Sequence, residues 1–122
     1  MLTIDALKAE TAIPAIIVDH DGTIVHINEV FEETWGWQKD QLVGESLTTI
    51  IPDNLRDAHH MGFSRFALTG KPTILNQALE LIILKADGQE TPAEHYIIAE
   101  ETDGNWVFGA TIKPLDDSGA DS

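Results

Sequence analysis

Three Asp-Gly dipeptides, Asp21-Gly22, Asp87-Gly88 and Asp103-Gly104, each lie between two apolar runs. This is the strongest short-range hairpin signal a sequence carries, because tight hairpin turns need φ > 0 and glycine adopts it without steric cost. A hairpin joins its strands antiparallel. The first dipeptide ends the β-branched run Ala15–Val18 and opens a second strand predicted over Thr23–Ile27. His20 and Asp21 would suit a metal pair, but the adjacent Gly22 marks a turn. The second dipeptide closes a long strand predicted over Thr73–Lys85, and the third joins the last two strands.

Alternation assigns the faces of these strands. Leu75, Gln77, Leu79, Leu81 and Ile83 form the better core face of the long strand, since the other set carries Glu80. Glu94 and Glu100 mark their side of the next strand, with Tyr96 and Ile98, as outward, so Ala93, His95, Ile97 and Ala99 face in. In the last strand Trp106, Phe108, Ala110 and Ile112 share a face.

Helical signals fall outside these strands. Residues Leu2–Thr11 read as a short amphipathic helix with Leu2, Ala6 and Leu7 on one stripe and Ile4 at its edge; Pro14 ends it. Such a helix outside a core reads as a linker or partner contact. Asn28 is a good N-cap for a helix that buries Val30, Phe31 and Trp35 and stops at Gly36. One more turn is expected over Gln38–Leu42, and a short apolar piece over Leu47–Ile51, closed by Pro52. Asp53 opens the longest helix, to about Thr69, with Gly70 as its cap. Its stripe is Leu55, His59, Gly62, Phe63 and Phe66, which places His59 on the inward face and turns His60 about 100° away. The fold class is α+β, with helices packed on one face of an antiparallel sheet.

The 122 residues suffice for one domain, and a 43% hydrophobic composition builds its core without disulfides, which the absence of cysteine excludes. A net charge of −14 repels phosphate backbones and anionic lipid, so neither nucleic acid nor membrane is an expected partner. No signal-peptide pattern and no apolar run of spanning length is present, so the expected location is cytoplasmic. An enzyme is not expected. No Gly-x-Ser-x-Gly or His-Glu-x-x-His sequence occurs, and Asp57 and His59, two apart, do not face each other on a helix. A metal site from Asp53, Asp57 and His60 competes with the simpler reading of a solvated helix end.

The ordered strings "IIVDHDGTIVHINEVFEETWGW", "LVGESLTTIIP", "LRDAHHMGFSRFALTGKP" and "LKADGQETPAEHYI" resemble the PAS family over about residues 12–114. The resemblance implies a PAS fold, a five-stranded antiparallel sheet in the order 2-1-5-4-3. The expected organisation is an N-terminal flanking helix over 1–13, a PAS domain over 14–114 and an acidic tail over 115–122. The family implies a sensory input domain of a bacterial signalling protein. It would bind a small ligand or cofactor in a core cavity and pass the signal on by dimer or sheet rearrangement. Its partners would be a second copy of the chain and a kinase, cyclase or chemoreceptor output domain. Tyr96, Ile98, Ile82 and Leu84, with the N-terminal helix, would form the relay surface.

The segment "PDNLRDAHHMGFSRF" is similar to the helix of haem-binding oxygen-sensor PAS domains, of the FixL and direct-oxygen-sensor types. The resemblance puts His59 at the proximal iron-ligand position and Arg65 where a haem propionate is neutralised. Leu79 stands where one type carries a distal arginine, and Gln77 where the other carries a distal methionine. His95 faces the same side, suited to hydrogen-bonding bound oxygen or ligating iron. Phe63, Ile97 and Phe108 complete the expected lining. Haem b is the cofactor this implies. Non-covalent flavin stacked by Trp35, Trp37 or Trp106, an empty or small-molecule pocket with His59 as a plain core histidine, and a cofactor-free module that only dimerises and relays stay open as alternatives.

Overall fold

All three expected hairpins form in the computed structural model, which describes residues 3–52 and 78–115. The elements, in chain order, are α1 (Ile4–Ala9), β1 (Ala15–Val18), β2 (Ile24–Ile27), α2 (Glu29–Trp35), α3 (Lys39–Leu42), a 3-10 turn (Leu47–Ile50), β3 (Ala78–Leu84), β4 (Glu90–Thr102) and β5 (Asn105–Pro114). At the tightest turn Thr102 pairs with Asn105, and both residues between them, Asp103 (φ 53) and Gly104 (φ 83), are left-handed. Two positive φ values give the primed turn whose twist matches antiparallel strands.

The sheet order is β2-β1-β5-β4-β3, with antiparallel pairs throughout. Rows of paired residues cross it. Ile97, Ala110, Ile16 and Ile27 form one inward row, and Ala99, Phe108, Val18 and Ile24 the next. Below them, Leu79, His95 and Ile112 form a third across β3, β4 and β5. The inward side chains of β1 and β2 pack on Phe31, Trp35, Leu42 and Ile50 to make the principal core. Two indoles are tied to backbone: that of buried Trp35 donates from Nε1 to Ile112 O (3.1 Å), and that of half-buried Trp37 to Leu84 O (2.9 Å). Trp35 is thus a structural part of the core.

Three local expectations change. The second strand starts at Ile24, because Thr23 instead bridges to Ser46. Val30 is half-buried, leaving Phe31 and Trp35 as the buried face of α2. The first helix is shorter than Leu2–Thr11. The Glu10 carboxylate accepts from the N–H groups of Ala12 (2.8 Å) and Ile13 (3.1 Å), which turns the chain away after Ala9. Its buried residues are Ile4 and Leu7, whereas Ala6 is exposed.

The larger correction concerns the outer sheet face. Its residues were expected to form an outward relay surface with the N-terminal helix, and α1 instead packs over part of them. Ile4 and Leu7 pack with Ala15, Ile17 and Ile98, flanked by Tyr96 and Val107, in a second hydrophobic cluster. Ile98 is only 3% exposed, and Tyr96, Ile82 and Leu84 are half-buried. The seat of α1 is Gly109. A Cβ there would overlap Leu7 Cδ1 and press on Ile4 Cδ1 at 3.0 Å. Glu100 Oε2 accepts from the N–H of Ile4 (3.0 Å), fixing the start of the helix on β4.

Asn28 joins this layer to the rest. Its Oδ1 accepts from the N–H of Phe31 and of Ala15, each at 3.0 Å. Its Nδ2 donates to Glu10 O (3.0 Å) and Ile13 O (2.8 Å). The residue is 7% exposed, so one amide satisfies four backbone groups with little help from water.

Candidate functional site

Burial is uneven along the inward face of the sheet. On the β1–β2 side, Ile16, Val18, Ile24 and Ile27 are at most 4% exposed. Across β3–β5, Ile83, Ala93, Ala110 and Ile112 are buried, but four inward apolar residues keep accessible surface: Leu79, Ile97 and Phe108 are half-buried, and Leu81 is 40% exposed.

Of the eight expected binding residues, Leu79, His95, Ile97 and Phe108 lie on this face. Leu79 and His95 are directly opposed across β3 and β4, and Ile97 and Phe108 stand in the next two rows. His59, Arg65, Phe63 and Gln77 lie outside the described residues, as do Asp53, Asp57 and His60.

His95 is the one polar side chain in its row. It is 9% exposed and lies between Leu79 and Ile112. Its Nδ1 is 3.1 Å from Ala93 O. A carbonyl oxygen only accepts, so Nδ1 carries the proton and Nε2 of the neutral ring holds the lone pair. Burial pushes the imidazole below its usual range, and the bond to Ala93 pulls weakly the other way. The ring is therefore a neutral base at pH 7.

A second, half-buried histidine was not anticipated. His26 pairs with Ile17 on the outer row beside α1, and its Nε2 is buried with no hydrogen-bond partner. Burial, then Lys39, then Lys8, lower its pKa. The alternation of Val25 and His26 on a short edge strand carried the signal.

Both histidines set the acid side of the stability curve. Each has a folded pKa below the unfolded value near 6.5, so between the two values the unfolded chain binds more protons. Stability is then complete above about pH 6.5 and falls as pH drops through the folded values. Urea titrations from pH 7.5 to 5 should show this loss, and His95→Phe should flatten part of the slope. A slope unchanged in His95→Phe and in His26→Phe would contradict the assignment.

Among the described residues, the other features do not form a site. Asp19, His20 and Asp21 lie close enough to share an ion, but Asp19 Oδ1 accepts from the N–H of Asp21 (2.9 Å) and of Thr23 (3.0 Å). That carboxylate shapes the turn. One surface groove runs beside α1 along Lys8, Val25 and Val107, and another lies between Pro14, Thr34 and Lys113. Neither contains the residues of the inward face.

The profile of the PAS domain family matches residues 13–113. An uncharacterised protein of Azorhizobium caulinodans is 34% identical over 110 residues, which cover 88% of this chain and 15% of that protein. The oxygen sensor protein DosP of Escherichia coli is 25% identical over 99 residues, covering 81% of this chain and 12% of DosP. The sensor protein FixL of Bradyrhizobium diazoefficiens is 23% identical over 100 residues, 82% of this chain and 20% of FixL. The chain thus spans a fifth or less of the length of these relatives. Among solved structures, the PAS domain of an HTR-like protein from Haloarcula marismortui superposes with a TM-score of 0.66 at 19% identity, over 92% of this chain and 88% of that one. A LOV protein from Rhodobacter sphaeroides also scores 0.66 at 19% identity, over 94% of this chain and 67% of that one. These superpositions establish a shared fold.

Proposed function

This chain belongs to the PAS domain family, and from that premise we propose that it is the sensory input domain of a bacterial signal-transduction protein. It binds a small ligand or cofactor against the inward face of β3–β5 and is not itself an enzyme. The observation that supports this most is the retained surface of Leu79, Leu81, Ile97 and Phe108 on a face that is otherwise sealed. The output it serves is a kinase, cyclase or chemoreceptor domain in the same protein, in the cytoplasm. A second copy of the chain is its partner in relaying the signal.

The cofactor reading that best suits the residues is haem b, as in a gas or redox sensor. DosP is named an oxygen sensor, and the match to it spans most of this chain. The described half of the interior fits: Leu79, Ile97, Phe108 and Ile112 offer apolar lining, and His95 a single nitrogen donor. His59 would hold the iron and Arg65 would neutralise a propionate. When bound, haem supplies an iron centre whose ligation reports a gas or a redox change. Differential affinity for two arrangements of the domain is what lets such binding shift the sheet.

Haem titration of the purified chain tests this. A Soret band should rise to one equivalent, and His59→Ala should weaken the binding and shift the band. Absorption near 450 nm in the purified protein would point to flavin instead. A colourless chain that takes up no haem yet dimerises would leave the cofactor-free relay module.

A further inference from the structure

The protonation of His95 defines what its ligand must offer. The ring sits on the inward face, buried, between Leu79 and Ile112, and Nδ1 donates to the carbonyl of Ala93 two residues back on its own strand. That bond fixes the tautomer. It leaves Nε2 as an electron-pair donor, the arrangement in which histidine binds metals or accepts a hydrogen bond. Neither Leu79 nor Ile112, which flank it in the sheet, offers a side-chain proton for Nε2 to accept. For Nε2 to donate instead, the ring would have to break the Ala93 bond or take up a second proton. Desolvation on an apolar face opposes the second route.

We propose that His95 reads the interior ligand through the Nε2 lone pair, so that this domain selects an apolar ligand presenting one electron-pair acceptor. That acceptor is either a metal centre or a single N–H or O–H donor. A ligand whose only polar atoms are acceptors is disfavoured, because it sets lone pair against lone pair beside a largely buried ring. The inference rests on the inward face being the ligand site. It corrects the sequence expectation in one respect: with this tautomer His95 ligates iron or accepts a proton, and does not donate a hydrogen bond to a bound gas.

The test uses the whole chain. Imidazole nitrogen-15 spectra of the wild-type protein come first, with His95 assigned by its loss in His95→Phe. A proton on Nδ1 and a bare Nε2 at pH 7 are expected, and a proton on Nε2 overturns the proposal without any variant having to fold. Three probes follow: hemin, phenol and anisole. If hemin binds, its ferric spectrum should show two nitrogen ligands and revert to one in His95→Phe, which identifies the metal as the acceptor. A hemin spectrum indifferent to His95→Phe overturns the role of His95 and leaves the haem reading standing. If hemin does not bind, the haem reading falls. In that case phenol should still bind roughly tenfold more tightly than anisole, the worth of one buried hydrogen bond. His95→Phe should remove that preference, and His95→Gln, which keeps an acceptor, should restore part of it. Equal affinity for phenol and anisole, or no binding of either, overturns the proposal.

Discussion

An Asn28→Ala variant will lose about 3–5 kcal/mol of stability. The N-cap contributes about 1 kcal/mol of this. The rest comes from the other backbone groups left without a partner, one buried and two part-buried, at up to about 1–3 kcal/mol each before relaxation. The N–H of Ala15 and the carbonyls of Glu10 and Ile13 are those groups. Against a typical total of about 5–15 kcal/mol, the loss is large enough to leave part of the population unfolded at 37 °C. Asn28→Asp separates the contributions. Aspartate keeps both accepted bonds but loses both donors and sets a carboxylate beside two carbonyl oxygens. Its cost should approach that of alanine at pH 7 and shrink at low pH, where the protonated acid donates again. Chemical denaturation of the three proteins measures this. A loss below about 1 kcal/mol in Asn28→Ala would mean that water replaces the amide, and that the four bonds do not brace the domain.

The second large effect is expected at Gly109. Valine favours strands, so a substitution judged by propensity alone would be neutral or stabilising. The structure requires the opposite. The added Cβ would occupy the space of Leu7 Cδ1, and Leu7, 0% exposed, has no room to withdraw. Gly109→Val should therefore lift α1 off the sheet and cost about 2–4 kcal/mol, comparable to truncating a buried leucine. Gly109→Ala already adds the conflicting atom and should give most of the effect. Hydrogen exchange provides the decisive reading. Amides of residues 4–9 should lose protection while those of β1, β4 and β5 keep it. Trypsin should then cut rapidly after Lys8. If residues 4–9 stay protected in Gly109→Val, the close approach of helix and strand is not what seats α1.

The hairpins were readable because each is local: Asp103-Gly104 sets its own turn, and the alternation of Ala93, His95 and Ile97 follows from the pleat. Strand faces came through for the same reason. Asn28 was legible only as a cap. That its amide also receives the carbonyls of Glu10 and Ile13 depends on how the chain leaves α1, which no window around residue 28 contains. The docking of α1 was hidden for a related reason. A solitary glycine in a strand can signal close approach of another element, but the partner of Gly109 lies about a hundred residues earlier in the chain. His95 could be placed on the inward side from parity, yet its tautomer needed the distance to Ala93 O. His26 was signalled only by its alternation with Val25, which could not show that its Nε2 lies buried without a partner.

One property of β5 follows from its position in the middle of the sheet. Phe108, Ala110 and Ile112 touch the principal core, while Val107 and Gly109, set between them, touch the layer beneath α1. These side chains hang from one continuous ribbon, so the two sides of the barrier share a single moving part. A displacement of the ribbon at Phe108 would reach Gly109 one residue on, where Leu7 and Ile4 of α1 rest directly against the strand.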